Sequence, residues 1–241
     1  MKLTVGTMHF QKLNEQIRAC TDRDITLENC IGQRYIGSGL CDKNLYIDGI
    51  AGNALGAYLG GGKIVTSGNA QDATGDTMND GTIIVNGSCG DATGYGMRGG
   101  KIFIRGDIGY RAGIHMKSYK EKLPVMVVGG CAGSFLGEYQ AGGIIVVLGL
   151  HQPKEVPVTG HFCGTGMHGG KIFLRCETPP SDLPNQIMVK EAAADDLAQI
   201  EQYLDEFCAH FGEDKTEILS SKFYILTPNS KNPYKQLYTI Y

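Results

Sequence analysis

Apolar residues recur along this chain in short alternating runs at a fixed distance. The runs begin at Asn44, Lys63, Thr82, Lys101, Val125 and Ile144, at intervals of 19, 19, 19, 24 and 19 residues. Another run opens at Lys171 and a weaker one at Asp24, so eight turns of a 19-residue unit can be laid out. The second position of the unit reads Leu45, Ile64, Ile83, Ile102, Met126, Ile145 and Ile172, and the fourth Ile47, Thr66, Val85, Ile104, Val128, Val147 and Leu174. Period-two spacing puts both columns on one face of a strand, and their β-branched content opposes a helix. Five polar residues, Ser118 to Lys122, account for the longer step and predict an outward loop. Before Lys171 the step is 27 residues, which places an insertion of eight near His151-Gln152-Pro153-Lys154.

Composition sharpens this pattern. Glycine fills 35 of 241 positions, about twice the usual share of roughly 7%. Thirty-three of these glycines lie between Gly32 and Gly170. They line up in columns: Gly49, Gly68, Gly87, Gly106, Gly130 and Gly149 at the sixth position, and Gly56, Gly75, Gly94, Gly113 and Gly137 at the thirteenth. The thirteenth column predicts structural corners, where a side chain would strain positive φ or hold neighbouring coils apart. Small or apolar columns (Ala51, Ala70, Cys89, Ile108, Ala132; then Leu59, Met78, Met97, Met116, Met167) are expected to fill the interior. Nineteen residues are too few for two-helix repeats, and a propeller blade needs roughly 40. The expected fold is therefore an all-β solenoid, a parallel β-helix about 38 Å tall.

Three segments follow from the limits of the repeat. Residues 1–23 form an N-terminal helical flank, with a short helix from Leu13 to Cys20, and residues 24–176 form the coils. Residues 177–241 form a C-terminal helical extension after Pro179-Pro180, because proline cannot donate to a sheet ladder. In that extension Leu197, Ile200, Leu204, Phe207 and Phe211 mark an amphipathic helix with Gly212 as its C-cap. A short helix is expected near Asp214 to Leu219, then a polar end from Thr227 to Pro233.

The third column points away from the interior, yet it is apolar throughout: Tyr46, Val65, Ile84, Phe103, Val127, Val146 and Phe173. Such a stripe is a candidate interface, and Lys63, Lys101, Lys171, Arg105, Asp48 and Asn86 give it a polar rim. Two coverings fit it equally: a partner, or the helix carrying Leu197 to Phe211 folding back in the same chain.

Charge and chemistry change little. The net charge is −3, with no basic run to bind a phosphate backbone, which argues against nucleic acid. No apolar stretch reaches the roughly 18 residues of a membrane span, and Met1 to Gly6 opens no secretory segment, so the reading is cytoplasmic. Eight cysteines without a C-x-x-C pair predict reduced thiols. Gly94 to Gly99 and Gly164 to Gly169 match G-x-G-x-x-G, but a strand rather than a helix follows each, which removes the dinucleotide mechanism. His161, Cys163, His168 and Cys176 are the best metal candidates, but their spacing fits no zinc finger. Asp72 and Asp91 share the tenth column and read as solvated turn residues rather than an acid–base pair. No catalytic, cofactor-binding or metal-binding residue is assigned.

Gln33-Arg34-Tyr35-Ile36-Gly37, the coils Gly87-Ser88-Cys89-Gly90-Asp91-Ala92-Thr93-Gly94 and Gly106-Asp107-Ile108-Gly109, and the ending Asn229-Ser230-Lys231-Asn232-Pro233-Tyr234-Lys235-Gln236-Leu237 together carry a family resemblance. From Leu13 to Tyr241 the chain resembles the GXGXG domain at the C-terminus of the glutamate synthase large subunit, here as a stand-alone chain. The resemblance implies a right-handed parallel β-helix that is a non-catalytic scaffold beside an ammonia route. Its implied partners are a class II glutamine amidotransferase subunit and an FMN-binding glutamate synthase subunit. FMN and iron–sulfur centres are then expected on the partner and no cofactor on this chain. A homo-oligomer is left open. Similar coils occur in the glycine-rich structural component of formylmethanofuran dehydrogenase, which makes that complex the alternative. An independent polysaccharide-acting β-helix enzyme is the third reading, although the outward strand positions show no clustered carboxylates.

Overall fold

The computed structural model describes residues 1–150, 152–153 and 156–229. The family-like ending from Ser230 onward and His151 and Lys154 of the second insertion lie outside the described residues.

The repeat units supply successive strands of one sheet. After β1 (Lys2–Thr4) and helix α1 (Phe10–Ala19) come β2 (Asp24–Gln33), β3 (Asn44–Ala51), β4 (Gly60–Thr66), β5 (Asp80–Val85), β6 (Lys101–Ile104), β7 (Val125–Val128), β8 (Ala141–Val147) and β9 (Gly169–Arg175). Each pairs in parallel with the next, and the second-column residues stand opposite one another: Leu45 with Ile64, Ile64 with Ile83, Ile83 with Ile102, Ile102 with Met126. The longer step from β6 to β7 leaves this register intact.

The chain beyond β9 corrects the expected fold class. Instead of an all-β solenoid, a right-handed parallel β-helix with helical flanks, the described strands form one open, mixed sheet of eleven. The extension read as helical also supplies β10 (Ile187–Glu191) and β11 (Phe223–Pro228). β11 adds antiparallel to β9, and β10 antiparallel to β11. The N-terminal flank likewise contributes β1, parallel to β2. Unpaired edge strands invite further pairing, and Phe223-Tyr224-Ile225-Leu226 is strand-forming sequence that satisfies the edge of β9. The glycine-rich half of each unit does not form a second sheet. It joins its neighbours only through isolated bridges, Ala51 to Ala70, Cys89, Ile108 and Ala132 in turn. Left-handed backbone recurs there at Ala54, Gly56 and Tyr58, then at Ala73, Gly75 and Thr77, and this alternation breaks extended conformation.

Two apolar layers flank the sheet. On one face the second and fourth columns pack against the turn residues Ala70, Cys89, Met78, Met97 and Met116, and α1 adds Leu13 and Ile17 at the first end. Asn14 of α1 donates from its side-chain amide to the Arg34 carbonyl at 3.2 Å, which ties the helix to the first turn. On the other face lie α2 (Ala194–Leu197), α3 (Glu201–Phe211) and α4 (Lys215–Leu219). The amphipathic run from Leu197 to Phe211 is thus two helices, and α3 ends at Gly212, which takes φ +76°.

Candidate interaction surfaces

The third column divides at Ile84. Ile84, Phe103, Val127, Val146 and Phe173 are buried and packed with Ile200, Leu204, Phe207 and Phe211. This chain's own helices therefore cover most of the stripe. Polar contacts hold them at its rim: Lys101 pairs with Glu206 at 2.6 Å, Lys171 Nζ donates to Gln199, and the His210 ring meets Phe103 edge-on at 5.2 Å. Burial and the nearby Lys63 lower the His210 pKa. Val65 is only partly buried, and Tyr46 is 40% exposed at the uncovered end.

The corner glycines Gly56, Gly75, Gly94, Gly113 and Gly137 take φ of +63°, +71°, +70°, +68° and +64°. Positive φ alone does not explain them, because Ala54, Ala73 and Ala92 two positions earlier hold φ of +62°, +58° and +54° with a β-carbon. The thirteenth column faces the core. A β-carbon on Gly56 would meet Ile83 Cδ1 at 2.6 Å and one on Gly137 would meet Ile172 Cδ1 at 2.7 Å, closer than real atoms pack.

Asp72 and Asp91 are not a carboxylate pair poised for proton transfer. Asp72 Oδ1 accepts the Asp91 N–H at 2.9 Å, and Asp91 Oδ1 accepts the Tyr110 N–H at 2.8 Å. A second track runs at the seventh position, where Asn69 Oδ1 accepts from Ser88 N–H at 2.9 Å, Ser88 Oγ from Asp107 N–H at 3.1 Å, and Asp107 Oδ1 from Cys131 N–H at 2.7 Å. Each side chain thus satisfies a backbone donor one turn later, a bond worth about 0.5–1.5 kcal/mol. Sequence reasoning missed these rungs, although Asn, Ser and Asp recurring at a 19-residue period beside glycine is the signal that reveals them.

The metal candidates are dispersed in their chemistry. His161 Nδ1 lies 2.8 Å from Asp182 Oδ2, and this bond is the main cause of the lowered Asp182 pKa. His168 Nδ1 lies 3.1 Å from the Gly166 carbonyl oxygen. Burial pushes the Cys163 thiol up to about 12 and the Cys176 thiol up to about 11, which disfavours thiolate. Among the described residues no group of three or more His, Cys, Asp or Glu side chains is placed to hold a metal ion. Nor, among them, is any helix long and apolar enough to cross a membrane.

A parallel stack of glycine-cornered units with helices on one face defines the class, and the family is shown directly: this chain belongs to the GXGXG motif family, whose model matches residues 8–229. It is 46% identical over 244 residues to the uncharacterized protein MJ1350 of Methanocaldococcus jannaschii, covering 96% of this chain and 94% of that one. Among solved structures, it shares its fold with a chain of the formyltransferase/hydrolase complex FhcABCD from Methylorubrum extorquens, determined with methylofuran. The TM-score is 0.61 at 18% identity, over 91% of this chain and 87% of that one.

Proposed function

We propose that the chain is a non-catalytic structural subunit of a glutamate synthase-like complex, scaffolding a glutaminase unit and an FMN-binding synthase unit beside an ammonia route. The observation that carries this reading is the GXGXG match across residues 8–229, which takes in the repeats and both flanks. The side-chain chemistry is consistent with it. Column-ten carboxylates bond backbone amides, and the thiols of Cys89 and Cys163 are buried and pushed up to about 12. Such groups hold turns together rather than attack substrates.

The second reading is a structural subunit of a formyl-transferring complex of the formylmethanofuran dehydrogenase type. It is favoured by the fold shared with a chain of the FhcABCD complex. Co-expression distinguishes them. Co-purification with a class II glutamine amidotransferase and an FMN-binding synthase, giving glutamine-dependent glutamate formation that needs this chain, supports the first reading. Stable assembly with formyltransferase subunits instead would replace it with the second.

A further inference from the structure

The five-residue insertion forms one wall of an open groove. Tyr119 and Lys122 exchange backbone hydrogen bonds of 3.1 Å each, closing residues 119–122 into a tight turn, and Lys122 Nζ pins the turn to Asp80 Oδ2 at 2.7 Å. Opposite lie the ends of two successive units, linked by the Lys117 N–H donating to the Met97 carbonyl at 2.9 Å. The groove, of about 400 Å³, is lined by Thr77, Tyr95, Arg98, His115, Lys117 and Tyr119.

Its chemistry is cationic and aromatic. Arg98 and Lys117 occupy the same column on adjacent units, roughly 4.8 Å apart along the stack. Neither forms an ion pair among the described residues. Stacked like charges repel, so an anion between them relieves a cost the folded chain otherwise carries. The nearby acids are Asp76, whose Oδ1 accepts the Thr77 hydroxyl at 2.8 Å, Asp80, held by Lys122, and Glu121 on the loop. Tyr95 is 41% exposed and Tyr119 50% exposed.

The aromatic surface runs on beyond the groove. Tyr95 meets His115 edge-on at 5.9 Å, and His115 stacks on Tyr139 at 5.3 Å. A parallel track places the Arg111 guanidinium over Phe135 at 5.3 Å, and Phe135 stacks on Phe162 at 5.1 Å. A small anion would fill one gap between units, whereas an extended chain crossing the units would use both tracks. Exposed Tyr, Phe and Arg, rather than Lys and Glu, are the residues enriched where proteins meet.

We infer that this groove docks an extended acidic segment of a partner chain, its carboxylates on Arg98 and Lys117 and its apolar side chains on Tyr95, His115 and Tyr119. The inference rests on the subunit reading only for the source of that segment. Fluorescence anisotropy of the full chain with a labelled hexapeptide of alternating glutamate and phenylalanine tests it. Binding weakened roughly tenfold or more in Arg98→Glu/Lys117→Glu, and weakened also by Tyr119→Ser, is expected, with melting temperatures unchanged. Equal binding of a lysine–phenylalanine peptide, or undiminished binding by the double variant, would overturn it. So would binding of inorganic pyrophosphate at Arg98 and Lys117 without binding of the acidic peptide. A chain that assembles with its subunits but ignores the peptide sinks the groove alone, and a chain that binds the peptide but joins no complex sinks the subunit reading alone.

Discussion

Gly56 lies against Ile83: a β-carbon built on the glycine would stand 2.6 Å from the isoleucine Cδ1. At the equivalent Gly94 the nearest atom is Met126 Sδ at 3.6 Å, an ordinary contact. Backbone strain is similar at the two sites, with φ of +63° and +70°. Gly56→Ala should therefore destabilise by about 1–3 kcal/mol more than Gly94→Ala, the cost of overpacking. Urea denaturation of both variants checks this, and equal losses would mean that φ rather than the isoleucine selects glycine.

Phe207 of α3 is fully buried over the stripe. Phe207→Ala should cost about 3–5 kcal/mol and raise binding of a hydrophobic dye. Tyr46→Ser, at the uncovered end, should leave stability within about 0.5 kcal/mol. A silent Phe207→Ala in thermal melts would show that the helix adds little to the sheet.

Asp91 acts through its oxygen rather than its charge, since Oδ1 accepts the Tyr110 N–H at 2.8 Å. Asparagine keeps that acceptor and alanine removes it. Asp91→Asn should remain near wild type while Asp91→Ala loses about 0.5–1.5 kcal/mol. Equal damage from both substitutions in denaturant titrations would assign the role to the charge.

Burial raises the thiols of Cys89 and Cys163 to about 12, so both stay protonated and enclosed near pH 8. Cys41 is exposed. A thiol reagent at pH 8 should label Cys41 within minutes and leave Cys89 and Cys163 unlabelled until the chain unfolds, as peptide mapping reads out. Early labelling of Cys163 would contradict its burial.

Asp182 has a pKa held below its ordinary 3.8, chiefly by the hydrogen bond from His161. A depressed carboxyl stabilises the fold above that ordinary value and ceases to do so as the pH falls through the folded value. Wild type should exceed Asp182→Asn by a fraction of a kcal/mol at pH 5, given the solvent exposure of the pair. The gap should close below about pH 3. A gap that persists at pH 2 would remove the ion pair as its cause.

The 19-residue period by itself determined the strand registers, because identical spacing puts Ile64, Ile83 and Ile102 opposite one another whatever surrounds them. It also marked the insertion at Ser118 to Lys122, the glycine corners and the apolar third column. Periodicity carries no information about segments that do not repeat, so the addition of Phe223 to Pro228 to β9, which made the sheet mixed, was decided by contacts between residues far apart in the chain. The same holds for the stripe. An outward apolar column is equally compatible with a partner and with a helix, and only the packing of Phe207 and Leu204 upon Phe103 and Val127 chose the helix. Contacts between turns, too, lie beyond a one-dimensional pattern. That Gly56 yields to Ile83, and that Arg98 and Lys117 stack beside Tyr119, depends on which atoms meet when one unit lies on the next.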